Sequence, residues 1–320
     1  MELMPPFRKL YLRVSVTDRC NLRCLYCRTG NGRNFVERDH LLSDEDILEL
    51  VRLVKEALPI YKLRVTGGDP LVRPNLSRLI GRLRVLLPNV ELAITTNGLL
   101  LSRLAKDLKK AGLDSINVSL DTLNPLDFGT ITGVGALSEV QEGILAAKSS
   151  GFKKIKLNAV LLRSFNGDSL SELALFSNAL GCELRMIELM PIGIARNHFE
   201  QEFMSGNEAL EKLSEHFGSP VHLGLSGTAR RYLFSCEGRR IPIGIITTIS
   251  EPFCTRCDRL RLDARGWLYP CLHDYEGIDL LMLLKNEKRD LVKQRIRTAH
   301  SEKKNPVLEW TSLQMVRIGG

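Results

Sequence analysis

Between Tyr11 and Met190 the apolar positions alternate between two periods. Short runs rich in β-branched residues predict strands: "YLRVSVT" (11–17), "KLRVTG" (62–67), "ELAITT" (91–96), "SINVSL" (115–120), "KIKLNAVLL" (154–162) and "ELRMIELM" (183–190). Each is bounded by Gly, Asn, Asp or Pro. The stretches between them repeat with the helical period. "SDEDILELVRLVKEAL" opens on Ser43 as N-cap, with Asp46 placed to complete a capping box. "LSRLIGRLRVLL", "LSRLAKDLKKAG" and "ALSEVQEGILAAKSSG" follow, the last two closing on Gly112 and Gly151. Such a succession of strand–helix units predicts an α/β fold with a parallel sheet and helical crossovers. Ligands gather at the carboxyl ends of strands in such sheets. "VTGGDP", "TTNG" and "SLD" end the second, third and fourth strands, so all three belong to that face.

After Met190 the texture changes. The polar stretch "GIARNHFEQEFMSGNEAL" leads into shorter strands, "ARRYLFSC" and "IPIGIITTIS", and "KRDLVKQRIRTAHSEKK" reads as a basic helix before the terminal "MVRIGG". The expected division is a first unit over 1–190 and a second over 191–320. With 320 residues, 44% of them hydrophobic and 26% charged, the chain reads as a soluble globular protein able to bury a core without disulfides. No run of eighteen apolar residues and no apolar leader core are present, so no membrane partner is expected and a cytoplasmic location is. The net charge of +8 suits a polyanionic small molecule as well as a nucleic acid. Aromatic residues are not interleaved with the basic ones and no RNA-binding module is visible, so no nucleic-acid partner is expected.

Six of the eight cysteines fall into two groups. Cys20, Cys24 and Cys27 are spaced C-x3-C-x2-C directly after the first strand, and Cys254, Cys257 and Cys271 are spaced C-x2-C-x13-C. Cys182 and Cys236 stand apart and read as buried free thiols. Clustered cysteines in a chain of this kind point to metal binding. A closed zinc site takes four ligands, and the nearest histidine to the first group, His40, is thirteen residues past Cys27. Three thiolates suit a [4Fe–4S] cluster with one iron left open for a ligand. At the second group His273 follows Cys271 by two residues, so a Cys3His zinc site and a cluster both agree with the spacing.

C-x3-C-x2-C with Tyr26 before its third cysteine resembles the signature of the radical S-adenosylmethionine (SAM) enzymes, and "TGGDP" (66–70) resembles their glycine-rich loop. "LRVSVTDRCNLRCLYC", "LRVTGGDPLVR", "TTNGLLL", "INVSLD", "ELMPIG", "FCTRCDRLRL" and the final "IGG" extend the resemblance to the molybdenum-cofactor biosynthesis protein A family, the GTP 3′,8-cyclases. The resemblance runs from about residue 10 to the last residue. It implies a partial (β/α)6 TIM-like barrel whose mouth is closed by a C-terminal α+β segment. It also implies two [4Fe–4S] clusters, one on Cys20, Cys24 and Cys27 that holds SAM, and one on Cys254, Cys257 and Cys271 that holds the guanine of GTP. By the same resemblance Arg13, Arg64, Thr95, Lys156, Arg259, Leu260 and Arg261 contact GTP, and Tyr26, Gly68, Ser119 and Met190 line the SAM site. Arg259, Arg261 and the Gly319–Gly320 tail are implied in catalysis.

The residue types suit the task, since a triphosphate needs several cations and Arg presents planar forks. Arg13, Arg64 and Lys156 also interrupt otherwise apolar strands, which sets them apart from ordinary surface charge. The implied reaction takes a hydrogen from ribose C3′ and joins that carbon to guanine C8. Implied partners are a low-potential electron donor of the flavodoxin or ferredoxin type, a downstream cyclic pyranopterin monophosphate synthase, and a second copy in a homodimer. The chain departs from the family pattern at Asp69, where Glu is usual, so the reach towards the SAM amine is one methylene shorter. It departs also at "RTG" after Cys27 and at "TGVGAL" (132–137). Two rival readings are a radical SAM enzyme acting on a peptide and a non-catalytic iron–sulfur protein that binds nucleotide.

Overall fold

The computed structural model describes residues 9–27, 35–274, 276–286 and 288–303. Strands β1 (Leu10–Ser15), β2 (Ile60–Thr66), β3 (Glu91–Thr96), β4 (Ser115–Ser119), β5 (Lys154–Leu161) and β6 (Glu183–Glu188) form where the alternation places them, with ends shifted by at most two residues. The carboxyl-terminal third adds β7 (Val221–Ser226), β8 (Ala229–Cys236), β9 (Arg239–Ile246), β10 (Arg259–Leu262), β11 (Trp267–Tyr269) and β12 (Ile278–Asp279). All twelve belong to one sheet, ordered β12-β11-β10-β1-β2-β3-β4-β5-β6-β9-β8-β7. From β10 across to β9 every neighbour is parallel, and the flanking hairpin strands are antiparallel. The two ends of the sheet do not pair, so the barrel is open.

The residues after 190 therefore do more than cover a mouth. They lengthen the parallel sheet at both edges, β9 against β6 and β10 against β1. Strand β10 is only "RLRL", too short and too charged to stand out in the sequence. Its ladder with β1 makes it a strand, with Leu260 and Leu262 wholly buried on one face.

Helices pack on the outer face of the sheet. Leu12 and Val14 of β1, Leu63 and Val65 of β2, and Leu92 and Ile94 of β3 have no exposed surface. They belong to one apolar cluster with Ile47, Leu50 and Leu53 of the helix Asp44–Ala57. Each such side chain contributes about 1.5–3 kcal/mol through burial. The capping box forms as expected: Ser43 Oγ accepts from Asp46 N at 3.1 Å, and Asp46 Oδ2 accepts from Ser43 N at 3.0 Å. Gly112 and Gly151 stop their helices at φ +94° and +87°, a region that favours glycine. Because the strand period is two, the residues between these apolar positions project to the inner face. There the sequence carries Tyr11, Arg13, Lys62, Arg64, Thr95 and Lys156, all of which line a cavity.

Candidate active site

That cavity has a volume of about 1140 Å³, and all six clustered cysteines line it. The first triad sits on the segment that follows β1. This segment is stitched to the glycine-rich loop by Gly68 N donating to Thr17 O (2.8 Å) and Asp69 N to Arg19 O (2.7 Å). Arg23 N and Leu25 N donate to Thr132 O and Ile131 O, so the start of the divergent 132–137 stretch buttresses the cysteine loop. A Cβ on Gly67 would meet Thr17 O at 2.5 Å, and one on Gly68 would meet Arg19 O at 2.2 Å. The close approach that these glycines permit is thus to the chain's own backbone, while both still line the cavity.

Asp69 differs from expectation. Its carboxylate is buried and turned into the loop, accepting from Leu71 N (2.9 Å), Thr96 Oγ1 (2.8 Å) and Asn97 N (2.6 Å). The shorter side chain acts as a staple between the glycine-rich loop and the end of β3. Burial raises its pKa to about 6 despite these donors. Asn97, held by that staple, donates from Nδ2 to Cys20 Sγ at 3.7 Å and to Asn21 Oδ1 at 2.8 Å.

The second triad is positioned by a buried carboxylate at the end of β6. Glu188 accepts from Gly206 N (2.7 Å), Ile249 N (2.8 Å), Ser250 N (3.0 Å) and the Ser250 hydroxyl, fixing the loop between β9 and Cys254. Cys254 begins a short 3-10 turn closed by Cys257 N donating to Cys254 O at 3.1 Å. Lys303 Nζ reaches Cys257 Sγ at 3.7 Å. Among the described residues no three His, Cys, Asp or Glu side chains form a group that could hold a single metal ion. A Cys3His zinc site with His273 is therefore not assembled there. A [4Fe–4S] cluster asks something different, since each thiolate ligates its own iron, and thiols lining a shared volume answer to it.

The thiol chemistry agrees. Burial pushes the Cys24 thiol well up, and Cys27, Asp121 and Cys20 add to the shift. Burial likewise raises Cys254 and Cys271. Thiols that oppose one another's ionisation in a buried site become ligands when a cationic centre compensates them, so the donor set fits iron.

Cations line the same cavity. The ladders align Arg259 with Tyr11 and Tyr11 with Lys62, then Arg261 with Arg13 and Arg13 with Arg64. Burial, and after it the neighbouring Arg261, pushes Arg13 well below its usual pKa. Burial and then Arg259 bring Arg261 down to about 10. Tyr11 shows the same field from the other side: burial raises its phenol, but Arg64, Arg13, Arg259 and Lys62 outweigh burial and bring it to about 7. Arg64 donates from Nε to the Tyr11 hydroxyl, and from Nη1 to Ile94 O (2.8 Å) and Thr95 Oγ1 (3.0 Å). Lys156 shares Glu183 with Arg185, at 3.1 and 2.8 Å. Crowding of like charge in a walled cavity favours an incoming polyanion.

The expected SAM residues reach the same space. Gly68, Ser119, Met190 and Tyr26 line the cavity, and Tyr26 donates to Asp121 Oδ2 at 2.6 Å. Leu260 is the exception among the expected residues. Its side chain is wholly buried in the core on the other face of β10, so only its backbone remains for a ligand. Gly319 and Gly320, like the Arg28–Gly30 departure, lie outside the described residues. Tyr11, Lys62 and Arg185 line the cavity without having been singled out from the sequence. Their spacing was the available signal: Tyr11-x-Arg13, Lys62-x-Arg64 and Arg259-x-Arg261 each repeat with period two on adjacent strands.

Residues 14–177 match the Radical SAM superfamily model, and residues 182–308 match the Molybdenum Cofactor Synthesis C model. The chain is 39% identical over 280 residues to the GTP 3′,8-cyclase of Thermodesulfovibrio yellowstonii, covering 86% of this chain and 85% of that protein. It is 40% identical over 272 residues to the GTP 3′,8-cyclase of Pelotomaculum thermopropionicum, covering 84% and 83%. The chain belongs to the GTP 3′,8-cyclase family of the radical SAM superfamily. Solved structures similar to this family member include Streptococcus suis SuiB bound to precursor peptide SuiA, at 19% identity and a TM-score of 0.54, covering 65% of this chain and 45% of that one. Another is anSMEcpe with bound AdoMet, at 16% identity and a TM-score of 0.52, covering 67% of this chain and 58% of the other. At those identities the likeness shows the shared fold of an open α/β barrel. Among the described residues of this cyclase-family chain, no helix is long and apolar enough to cross a membrane.

Proposed function

We propose that the protein is a radical SAM GTP 3′,8-cyclase, making (8S)-3′,8-cyclo-7,8-dihydroguanosine 5′-triphosphate in the first step of molybdenum cofactor biosynthesis. The observation that carries the reading is the single cavity lined by both cysteine triads and by Arg13, Lys156, Arg259 and Arg261. Arg261 is buried and the other three are half-buried, and such a concentration of positive charge on one wall suits a triphosphate.

In this reading Cys20, Cys24 and Cys27 hold one [4Fe–4S] cluster, and Cys254, Cys257 and Cys271 hold the other. When bound there with SAM, the first cluster would supply the 5′-deoxyadenosyl radical for hydrogen abstraction from ribose C3′. The protein's own residues bind and orient. Tyr26, fixed by Asp121, stands with Gly68, Ser119 and Met190 along the SAM side. Arg13, Arg259, Arg261 and Lys156 neutralise the triphosphate. Arg64, already donating to Thr95 and Tyr11, keeps that wall rigid so that little reorganisation accompanies binding. Leu260 takes part through its backbone alone. The functional division falls at residue 190, with the SAM unit before it and the second cluster and the Gly319–Gly320 tail after it. A low-potential flavodoxin or ferredoxin, a homodimeric state, a cytoplasmic location and a downstream cyclic pyranopterin monophosphate synthase complete the proposal.

The test is anaerobic: reconstitute with iron and sulfide, add SAM and a strong reductant, and quantify 5′-deoxyadenosine with and without GTP. A GTP-dependent rise with a cyclised GTP product by mass spectrometry is expected. Cleavage indifferent to GTP would mean another substrate, and no cleavage from iron-loaded protein would mean a non-catalytic descendant.

A further inference from the structure

Lys303 follows the helix Arg289–Ser301, which is docked firmly on the barrel. Val292 and Ile296 of that helix are wholly buried, Arg289 pairs with Glu49 and Glu56, and Arg297 Nε donates to Ala57 O at 3.1 Å. The helix thus delivers Lys303 to the cavity wall as a pre-positioned side chain. Its ammonium meets three acceptors: the Cys257 sulfur at 3.7 Å, Cys257 O at 3.4 Å, and Arg259 O. An ammonium has three N–H donors. All three are engaged by the segment that joins the second cysteine triad to β10, so Lys303 has no donor left over for a triphosphate. This separates it from Arg259 and Arg261, whose side chains line the cavity as charge for the substrate.

We propose that Lys303 is the positioning residue of the second cluster, hydrogen-bonding the Cys257 ligand sulfur to raise that cluster's reduction potential while clamping the Cys257–Arg259 backbone that carries the substrate cations. The inference rests on the cluster reading of Cys254, Cys257 and Cys271. Net charge and hydrogen bonds to ligand sulfurs are the protein's levers on iron–sulfur potentials. A cation and an N–H···S bond at Cys257 both favour the more negative, reduced state, so both act in the same direction. The chain has placed its basic carboxyl-terminal helix where that effect falls on one triad and not on the other.

The experiment compares the full-length wild type with Lys303→Met and Lys303→Arg, each reconstituted anaerobically and titrated by EPR-monitored redox potentiometry, with resonance Raman of the Fe–S(Cys) modes. The expected result in Lys303→Met is a lower midpoint potential for the second cluster only, with altered Fe–S(Cys) frequencies. Lys303→Arg, which keeps charge and donors, should recover most of the shift. If Lys303→Met does not retain the second cluster, Lys303→Gln is read instead, since it keeps an N–H donor without charge: a lowered potential supports the role and an unchanged one overturns it. An unmoved second-cluster potential in fully loaded Lys303→Met, or equal shifts in both clusters, would also overturn it. A wild-type protein that loads iron at the first triad alone would overturn the cluster reading itself, which is a separate result.

Discussion

Replacing Gly68 by Ala tests whether the cysteine loop and the glycine-rich loop are held at backbone contact. The new methyl carbon would stand 2.2 Å from Arg19 O, 2.5 Å from Arg19 C and 2.8 Å from Asp18 O, where ordinary contact begins at 3.4 Å. The obstructing atoms are backbone, so no rotamer change relieves them, and the two loops must part by about 1 Å. Parting breaks the Gly68–Thr17 and Asp69–Arg19 hydrogen bonds, each worth roughly 1 kcal/mol. Overpacking adds about 1–3 kcal/mol, so the loss is about 3–5 kcal/mol in all. The same displacement moves Cys20, one residue beyond Arg19, away from its place at the cavity. The matched control is Gly81→Ala in the helix Leu76–Leu86, where a Cβ meets nothing within 4 Å. That change should stabilise by about 0.5–1 kcal/mol. Thermal unfolding and iron content of the two reconstituted variants decide the matter. Gly68→Ala should melt well below wild type and fail to fill the first site, while Gly81→Ala should melt at or above wild type with full iron. A Gly68→Ala protein that melts with wild type and loads fully would refute the contact argument.

Four further outcomes are expected. Cys24→Ala removes one of three ligands to the first cluster and should abolish 5′-deoxyadenosine formation; normal formation would overturn the ligand assignment. Arg261→Ala should weaken GTP binding about 10- to 100-fold, the effect of losing a charge-assisted contact worth about 1.5–3 kcal/mol, and calorimetry showing unchanged affinity would remove Arg261 from the triphosphate wall. Tyr11, brought to about 7 by the cations around it, should show as a phenol ionising near neutrality in cluster-free protein, followed by tyrosinate absorbance and absent from Tyr11→Phe. Asp69 titrates near 6 when folded against 3.8 for its ordinary value, so the folded state keeps its proton longer and stability should fall by roughly 3 kcal/mol as pH rises from about 4 to about 6, then level off; Asp69→Asn should flatten that slope in thermal unfolding series.

Much of this architecture was legible because strand period and helix period are written in the apolar residues themselves. The six strands from β1 to β6, the Ser43 capping box and the glycine stops at 112 and 151 each follow from local chemistry. What stayed hidden depends on partners far away in the chain. Strand β10 has four residues, two of them arginines, and only the ladder with β1 and the burial of Leu260 and Leu262 give it form. The contacts of Asp69 were hidden for a related reason. A methylene fewer looked like lost reach towards a ligand, yet Thr96 and Asn97 at the end of β3 had already claimed both carboxylate oxygens together with Leu71 N.

The cation wall shows why sequence distance and site distance part company here. Arg259 and Arg261 lie 248 residues from Tyr11 and Arg13, yet pair with them rung for rung. Three adjacent strands repeat the same alternation, polar inward and apolar outward, so that Leu12, Leu63 and Leu260 close the core while Arg13, Arg64 and Arg261 face the cavity. A one-residue slip of β10 would exchange the two faces, burying both arginines among leucines and exposing two leucines to the cavity. The register is therefore fixed by the core at the same time as the charge is fixed for the substrate. That coupling gives the carboxyl-terminal segment its meaning. It brings half of the cation wall on β10, whose form depends on its ladder with β1, with Cys257 two residues before that strand and Cys271 beyond β11.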